Sequence, residues 1–215
     1  GGLTYREAAG AGFYRRPIQE DRSVPELYPT GFLPEIHSGI GDQSLAVGVR
    51  GKRGPWDLDL GVSHGRSSFR FSVENSVNAS IGPTSPTSFH AGDLKYTETI
   101  GSLDAVRIID TEGTLRSLSL ALGGEVRLEG YQIQAGDFES YSLGNGGEIP
   151  GVDFDTTAAG APKAAGAQVF PRFQPSNEVD QSRNNLAAYA GVEAQLSDDV
   201  QMDLGGRFER YSDFG

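Results

Sequence analysis

The sequence predicts an all-β protein: an antiparallel, up-and-down run of about seven strands, read as part of a transmembrane β-barrel wall. Three observations carry this. Glycine makes up 30 of 215 residues, about twice its ordinary share, and each glycine inside a helix would cost about 1 kcal/mol. Apolar residues recur at every second position, the period of a strand with two different faces. Finally, the connections between these stretches alternate between short and long along the chain.

The first stretch, residues 3–9, is short and weakly patterned. The second, 43–52, alternates Leu45, Val47 and Val49 with Ser44, Ala46, Gly48 and Arg50. The third, 56–75, sets Trp56, Leu58, Leu60 and Val62 against Asp57, Asp59, Gly61 and Ser63. Its apolar parity then shifts to Phe69, Phe71 and Val73, which calls for a bulge or for passage into another environment. The fourth, 94–108, has no clear phase. The fifth, 115–133, opposes Leu118, Leu120, Leu122, Val126 and Leu128 to Glu125, Arg127 and Glu129. In the sixth, Leu186, Ala188, Ala190, Val192, Ala194 and Leu196 oppose Tyr189, Glu193 and Gln195. In the seventh, Val200, Met202, Leu204 and Phe208 oppose Asp203, Arg207 and Glu209.

Strands two and three are joined by the tight "GKRGP", four and five by "IDTEGT", six and seven by "SDD". Between these lie long connections at 10–42, 76–93 and 134–183. In a meander every second connection lies at the same end, so all short turns share one end and all long loops the other. Strand alternation alone suits a soluble secreted or surface β-sandwich that binds a ligand, with one face in a core and one in water. The loop asymmetry favours an outer-membrane barrel, which has short periplasmic turns, long extracellular loops and strands that alternate apolar-out and polar-in. No charge falls on the apolar face between Trp56 and Val62, as hydrocarbon requires. Trp56, Tyr5, Tyr131, Tyr189 and Tyr211 lie near strand ends, where interfacial aromatic girdles form.

Composition narrows the function classes. There is no cysteine, hence no disulfide framework and no thiolate metal site. A net charge of −11 argues against a nucleic-acid partner, which would need a basic surface. No apolar run approaches the roughly 18 residues of a spanning helix, and the opening "GGLTYREAAG" does not read as a signal peptide.

Four segments carry a family resemblance: "LYPTGFLPEI" (27–36), "NSVNASIGPTSPTSF" (75–89), "GAQVFPRFQPS" (166–176) and, most strongly, the closing "RFERYSDFG". They resemble the barrel portion of TonB-dependent outer-membrane receptors over almost the whole chain. The resemblance implies a 22-stranded barrel with a plug domain inside it and energised uptake of a scarce nutrient such as an iron chelate, cobalamin or a glycan. Residues 1–215 would then be about a third of the wall, an internal fragment with the plug and remaining strands outside it. The implied partners are outer-membrane lipid, the plug, TonB and an extracellular nutrient ligand; the implied location is the bacterial outer membrane, with no cofactor and no enzymatic activity.

Catalytic and metal motifs fare poorly. "GVSHG" (61–65) matches the nucleophile-elbow pattern, which needs strand, sharp turn and helix, yet "RSSFRFSV" follows as a strand. His37, His64 and His90 lack metal-ligand spacing, although His37 and His90 both fall in expected long loops. "GDFES" (136–140) and "DFDT" (153–156) lack EF-hand spacing and read as solvated loop charge. "GDQS" and "LGNGGE" are glycine-rich without the strand, lysine and helix of a phosphate loop. The acids at 193, 203 and 209, with Arg207, read as ion pairing toward a plug. "NAS" (78–80) reads as a chance sequon, and "TTAAGAPKAAGA" (156–167) as a mobile, low-complexity loop tip.

Binding is the better-supported chemistry, because long loops on a rigid scaffold present recognition residues. Two loops stand out: one holds Tyr14, Arg15, Arg16, Tyr28 and Phe32, the other Phe170, Arg172 and Phe173. Arginines beside aromatic rings hold sugars by stacking and anionic chelates by charge-assisted hydrogen bonds. The alternative role for the same side chains is fastening the loops to one another and to a plug.

Overall fold

The computed structural model describes residues 1–111, 115–144, 154–170 and 172–213. Seven strands form one sheet in sequence order, every neighbouring pair antiparallel: β1 (Gly2–Ala11), β2 (Glu35–Arg53), β3 (Trp56–Glu74), β4 (Phe89–Asp110), β5 (Ser117–Ala135), β6 (Val179–Gln195) and β7 (Gln201–Tyr211). The sheet does not close, so β1 and β7 are its edges. The short connections, 54–55, 111–116 and 196–200, lie at one end, and the long ones, 12–34, 75–88 and 136–178, at the other. Parts of "IDTEGT", "LGNGGE", "DFDT", "GAQVFPRFQPS" and "RFERYSDFG" lie outside the described residues.

Register assigns the faces. Directly paired residues share a side, and the ladder aligns Val47–Val62, Val49–Leu60–Leu103 and Leu122–Ala190. It continues through Leu120–Val192–Leu204 and Ala188–Phe208. This outer surface is uncovered: Leu60 is 51% exposed, Val47 67% and Leu204 79%. Among the described residues no second sheet faces it, so the rows are not the inside of a sandwich. The outward charges within and bordering this band sit toward its rims: Arg53 and Arg107 near the short turns, and Arg210 beside Leu186 toward the long loops. Arg107 stands beside Leu120 and one step from Trp56, near the short-turn rim, where long cationic side chains can extend toward the interface.

The fourth strand lacked phase in the sequence because both of its faces carry apolar residues. Leu103, Ala105 and Ile109 face outward, and Leu94, Ile100 and Val106 inward. The parity shift in β3 occurs before its one register shift, which lies between Phe71 and Ser72 against β4, while pairing with β2 runs unbroken from Glu35–Glu74 to Arg53–Trp56, so a bulge does not cause it. Instead the strand leaves one environment for another. Above Val62 the outer face becomes His64, Arg66 and Arg70, while Phe69, Phe71 and Val73 turn inward beneath the long loops. Strands β2 and β6 also start well before the hydrophobic alternation does. Their upper ends are polar on the outer side, yet the hydrogen-bond ladder continues there.

The inner face carries the polar network. Arg50 pairs with Asp59 at 2.5 Å, and Tyr189 donates its hydroxyl to Asp104. Arg127 meets Glu125 at 2.9 Å, and Arg183 meets Glu129 at 2.6 Å. Arg207 reaches Glu209 and Glu125 and covers the Tyr189 ring, 5.3 Å from its centroid. Tyr189 lies across Gly123, where an added Cβ would come within 2.2 Å of the ring. Trp56 and Tyr5 face outward as expected of girdle residues, but Tyr131, Tyr189 and Tyr211 turn inward. Their hydroxyl-bearing rings are used on the polar face, where Tyr189 and Tyr211 hydrogen-bond carboxylates.

A charge placed on the two faces separates their solvents. Leu122→Arg should destabilise the membrane-inserted protein by about 2–4 kcal/mol, and inward Ser102→Arg by much less. Urea unfolding in lipid vesicles measures both. Gly123→Val should displace Tyr189 and release Asp104, read as a shift of the tyrosine ultraviolet absorption.

Candidate functional site

The three long loops fold onto one another into a cap over the inner face. Val24 and Phe32 from 12–34 share a buried cluster with Val77 and Ala79 from 75–88, and Leu27 and Tyr28 pack against it. A second cluster joins Val73, Phe89 and Ala91 to Ala167, with Phe71, Val169 and Phe170 around it. So small a core holds only because polar groups between the loops are paired.

Asn78 is the hub of that pairing. Fully buried, it donates both amide hydrogens to the carbonyls of Glu139 and Ser142, at 2.8 and 2.9 Å. Its Oδ1 accepts from the Ser80 amide and hydroxyl, at 3.1 and 2.6 Å. Ser80 Oγ in turn accepts from the Gly144 amide at 2.8 Å. One side chain thus uses its whole hydrogen-bonding capacity to weld 75–88 to 136–178. No glycan can reach it, so the "NAS" triplet is a structural device. Nearby, Ser76 Oγ accepts from the Gln168 amide at 2.9 Å, and Asn75 donates to the Leu33 carbonyl at 2.8 Å. Val169 holds φ at +91°, rare for a β-branched residue, with its side chain seated against Gly12.

The segment 156–167 is not a free loop tip. Thr156 bridges to Pro162, Lys163 pairs with Asp155 at 2.7 Å, and the Ala164 amide donates to the Asp21 carbonyl at 2.7 Å. Its small side chains allow close backbone contact, which low complexity in the sequence concealed. His37 and His90 are likewise not in the long loops. His37 lies in β2 beside Glu35, and His90 in β4, 3.0 Å from Asp93. Among the described residues no three metal-ligating side chains converge. Of the loop acids, Asp137 accepts the His90 amide at 2.9 Å. Ser63 sits mid-strand on the inner face, between Ala46 and Ile100, without the turn and helix of a nucleophile elbow.

The loop candidates fall into two groups. Phe32 is buried and packs against the tilted Tyr28 ring with centroids 4.8 Å apart. Phe170 stacks on Phe71 at 4.8 Å, and Phe173 meets the same ring edge-on at 6.0 Å. Tyr28, Phe32, Phe170 and Phe173 thus hold the cap together, the last two on the Phe71 ring of β3. Tyr14 is half-exposed, donating to the Thr30 carbonyl at 2.6 Å, and Arg16 is exposed. Arg15 and Arg172, from different loops, come together with Arg22 around a recess of about 380 Å3. Arg172 donates to the carbonyls of Ala165 and Ala167, and burial draws its guanidinium below the ordinary arginine pKa. Arg15 is lowered by burial and then by the neighbouring Arg22 charge. Arg22 and Asn78 carry no sequence signal of their own: an arginine in a polar loop and an asparagine in a sequon look ordinary until the loops are folded together.

Asn78→Ala should strand two carbonyls and the Ser80 groups in a buried site, each costing about 1–3 kcal/mol. The expected result is faster amide hydrogen exchange at Ser80 and Gly144 with strand protection unchanged; protection equal to wild type would remove Asn78 as the hub.

A protein-family model described as TonB dependent receptor-like, beta-barrel, matches residues 3–215. Searches of curated proteins and of solved structures returned no match. The match, the apolar outer band and the segregation of short turns from long loops concur. The chain belongs to the TonB-dependent receptor-like β-barrel family, whose members are receptors and transporters, not enzymes, of the bacterial outer membrane.

Proposed function

We propose that residues 1–215 form about a third of the wall of a 22-stranded receptor barrel that takes up a scarce extracellular nutrient with energy delivered through TonB. The carrying observation is the contrast between the two sides of one sheet: an uncovered apolar outer band and an inner face dense with arginine, carboxylate and tyrosine. Such an inner face suits a polar plug domain. Glu193 and Asp203 support this, since they stand directly opposite each other, exposed, with no cation paired to them among the described residues. Like charges so placed repel, and a plug lysine or arginine would relieve them.

The cap is the ligand-collecting surface in this reading. Tyr14, Arg15, Arg16 and Arg172 are its available contacts, while Tyr28, Phe32, Phe170 and Phe173 act by holding the loops in place. Iron chelate, cobalamin and glycan are the nutrient classes to be separated. Deleting the gene in its own host should slow growth when one of these is limiting, and deleting the host's TonB should abolish growth on that same nutrient. Wild-type growth of the gene-deleted strain on all three would overturn the uptake reading.

A further inference from the structure

We propose that the recess lined by Arg15, Arg22 and Arg172 is an anion-binding site that takes a carboxylate or phosphate group of a small ligand. The inference rests on the reading of the cap as the ligand-collecting face, and it narrows the ligand to an anionic one.

Three guanidinium groups line this recess beside Ala164, Gln168 and Phe170, and no carboxylate side chain lines it among the described residues. In a chain of net charge −11, such a convergence runs against the overall balance. Like charges crowd together at a cost, offset when an anion sits between them. Of the two acids nearest in sequence, Asp21 acts on the recess arginines only through a weak surface pairing, and Glu20 is turned to another loop. Asp21 contacts Arg22 at 3.2 Å with both side chains half-exposed, a pairing worth little in water. Glu20 accepts the Ala158 amide at 3.1 Å.

Arg15 supplies the second observation. Its Nε is buried and has no hydrogen-bond partner among the described residues, an unsatisfied donor that costs free energy, so the guanidinium is only partly served by the protein itself. Its backbone is pinned by two hydrogen bonds to Phe32, at 2.7 and 3.0 Å, so the side chain starts from a fixed point. Arg172 is positioned in advance too. Its guanidinium occupies the space where a Cβ on Gly166 would sit, 2.3 Å from Nη2, and Gly166 adopts φ +70°. Two of the Arg172 donors are spent on the Ala165 and Ala167 carbonyls, which fixes the orientation of the fork. A planar fork held this way matches a carboxylate or phosphate.

The test is equilibrium dialysis of the full-length receptor in detergent with radiolabelled citrate and pyrophosphate, and maltose as the neutral control. Both anions should be retained and maltose should not. Arg15→Gln and Arg22→Gln should each weaken retention about tenfold or more, whereas Arg53→Gln at the opposite end of the sheet should leave it unchanged. Arg15→Lys should restore part of the loss if Arg15→Gln has only removed charge. Gly166→Ala should weaken binding without removing a charge, by displacing Arg172. The proposal is overturned if neither anion is retained at about 10 mM, a concentration beyond useful recognition, or if retention is indifferent to both glutamine variants. That failure would leave the nutrient-limited growth phenotype of the deletion strain untouched, so the uptake reading stands or falls separately.

Discussion

The structure depends on a long antiparallel ladder whose side-chain period is two and whose register shifts once, between Phe71 and Ser72 against β4. In hydrocarbon each backbone N–H and C=O must be paired within the protein, so neighbouring strands cannot drift apart. Because alternate residues face opposite sides, a slip of one residue would turn the leucine and valine rows inward and the arginine–glutamate pairs into lipid. The long register from Arg53–Trp56 to Glu35–Glu74 is therefore under strong selection by both solvents at once. The glycine under Tyr189 fits the same constraint, since the ring of one strand lies over its neighbour and fills the place a side chain would take.

Two of the inward like-charge pairs set opposite each other by the ladder are relieved within the sheet. Asp59 stands opposite Asp104, and Glu98 opposite Glu129. Arg50 and the Tyr189 hydroxyl serve the first pair. Arg127, Arg183 and Tyr96 serve the second. Glu193 and Asp203, nearer the short turns, have no such service within the sheet. The difference between the pairs is local, since Lys52 and Asp57, equally near a short turn, pair within the sheet at 3.2 Å.

What was legible in the sequence was whatever alternates against hydrocarbon. Val47, Leu60, Leu120 and Leu204 announce their strands because each is apolar beside a polar or small neighbour. The upper ends of β2 and β6 were not legible, since water or loop lies on both sides there and no solvent contrast is written into the residues. The cap was harder still. Its two clusters draw Val24, Phe32, Val77 and Ala167 from segments far apart in the chain, and none sits in a periodic pattern. Arg15 and Arg172 could be chosen as binding residues by type alone, but that they meet, and that Arg22 joins them, depends on Asn78 and Val169 drawing the loops together.

The charge around the recess bears on how it can work. These 215 residues, at −11, do not steer an anion from a distance, and at physiological salt fields fade within about 8 Å in any case. Recognition must then come from contact: guanidinium groups already oriented and partly stripped of water, offering fixed donors to a carboxylate or phosphate. Preorganisation of this kind is what a welded cap provides. Were the three loops independent, binding would have to order them first, at a cost in conformational entropy for every residue fixed. With Asn78, Ser76 and the two clusters already holding them, that cost is met in folding, and the arginines meet their ligand in the geometry that binds it.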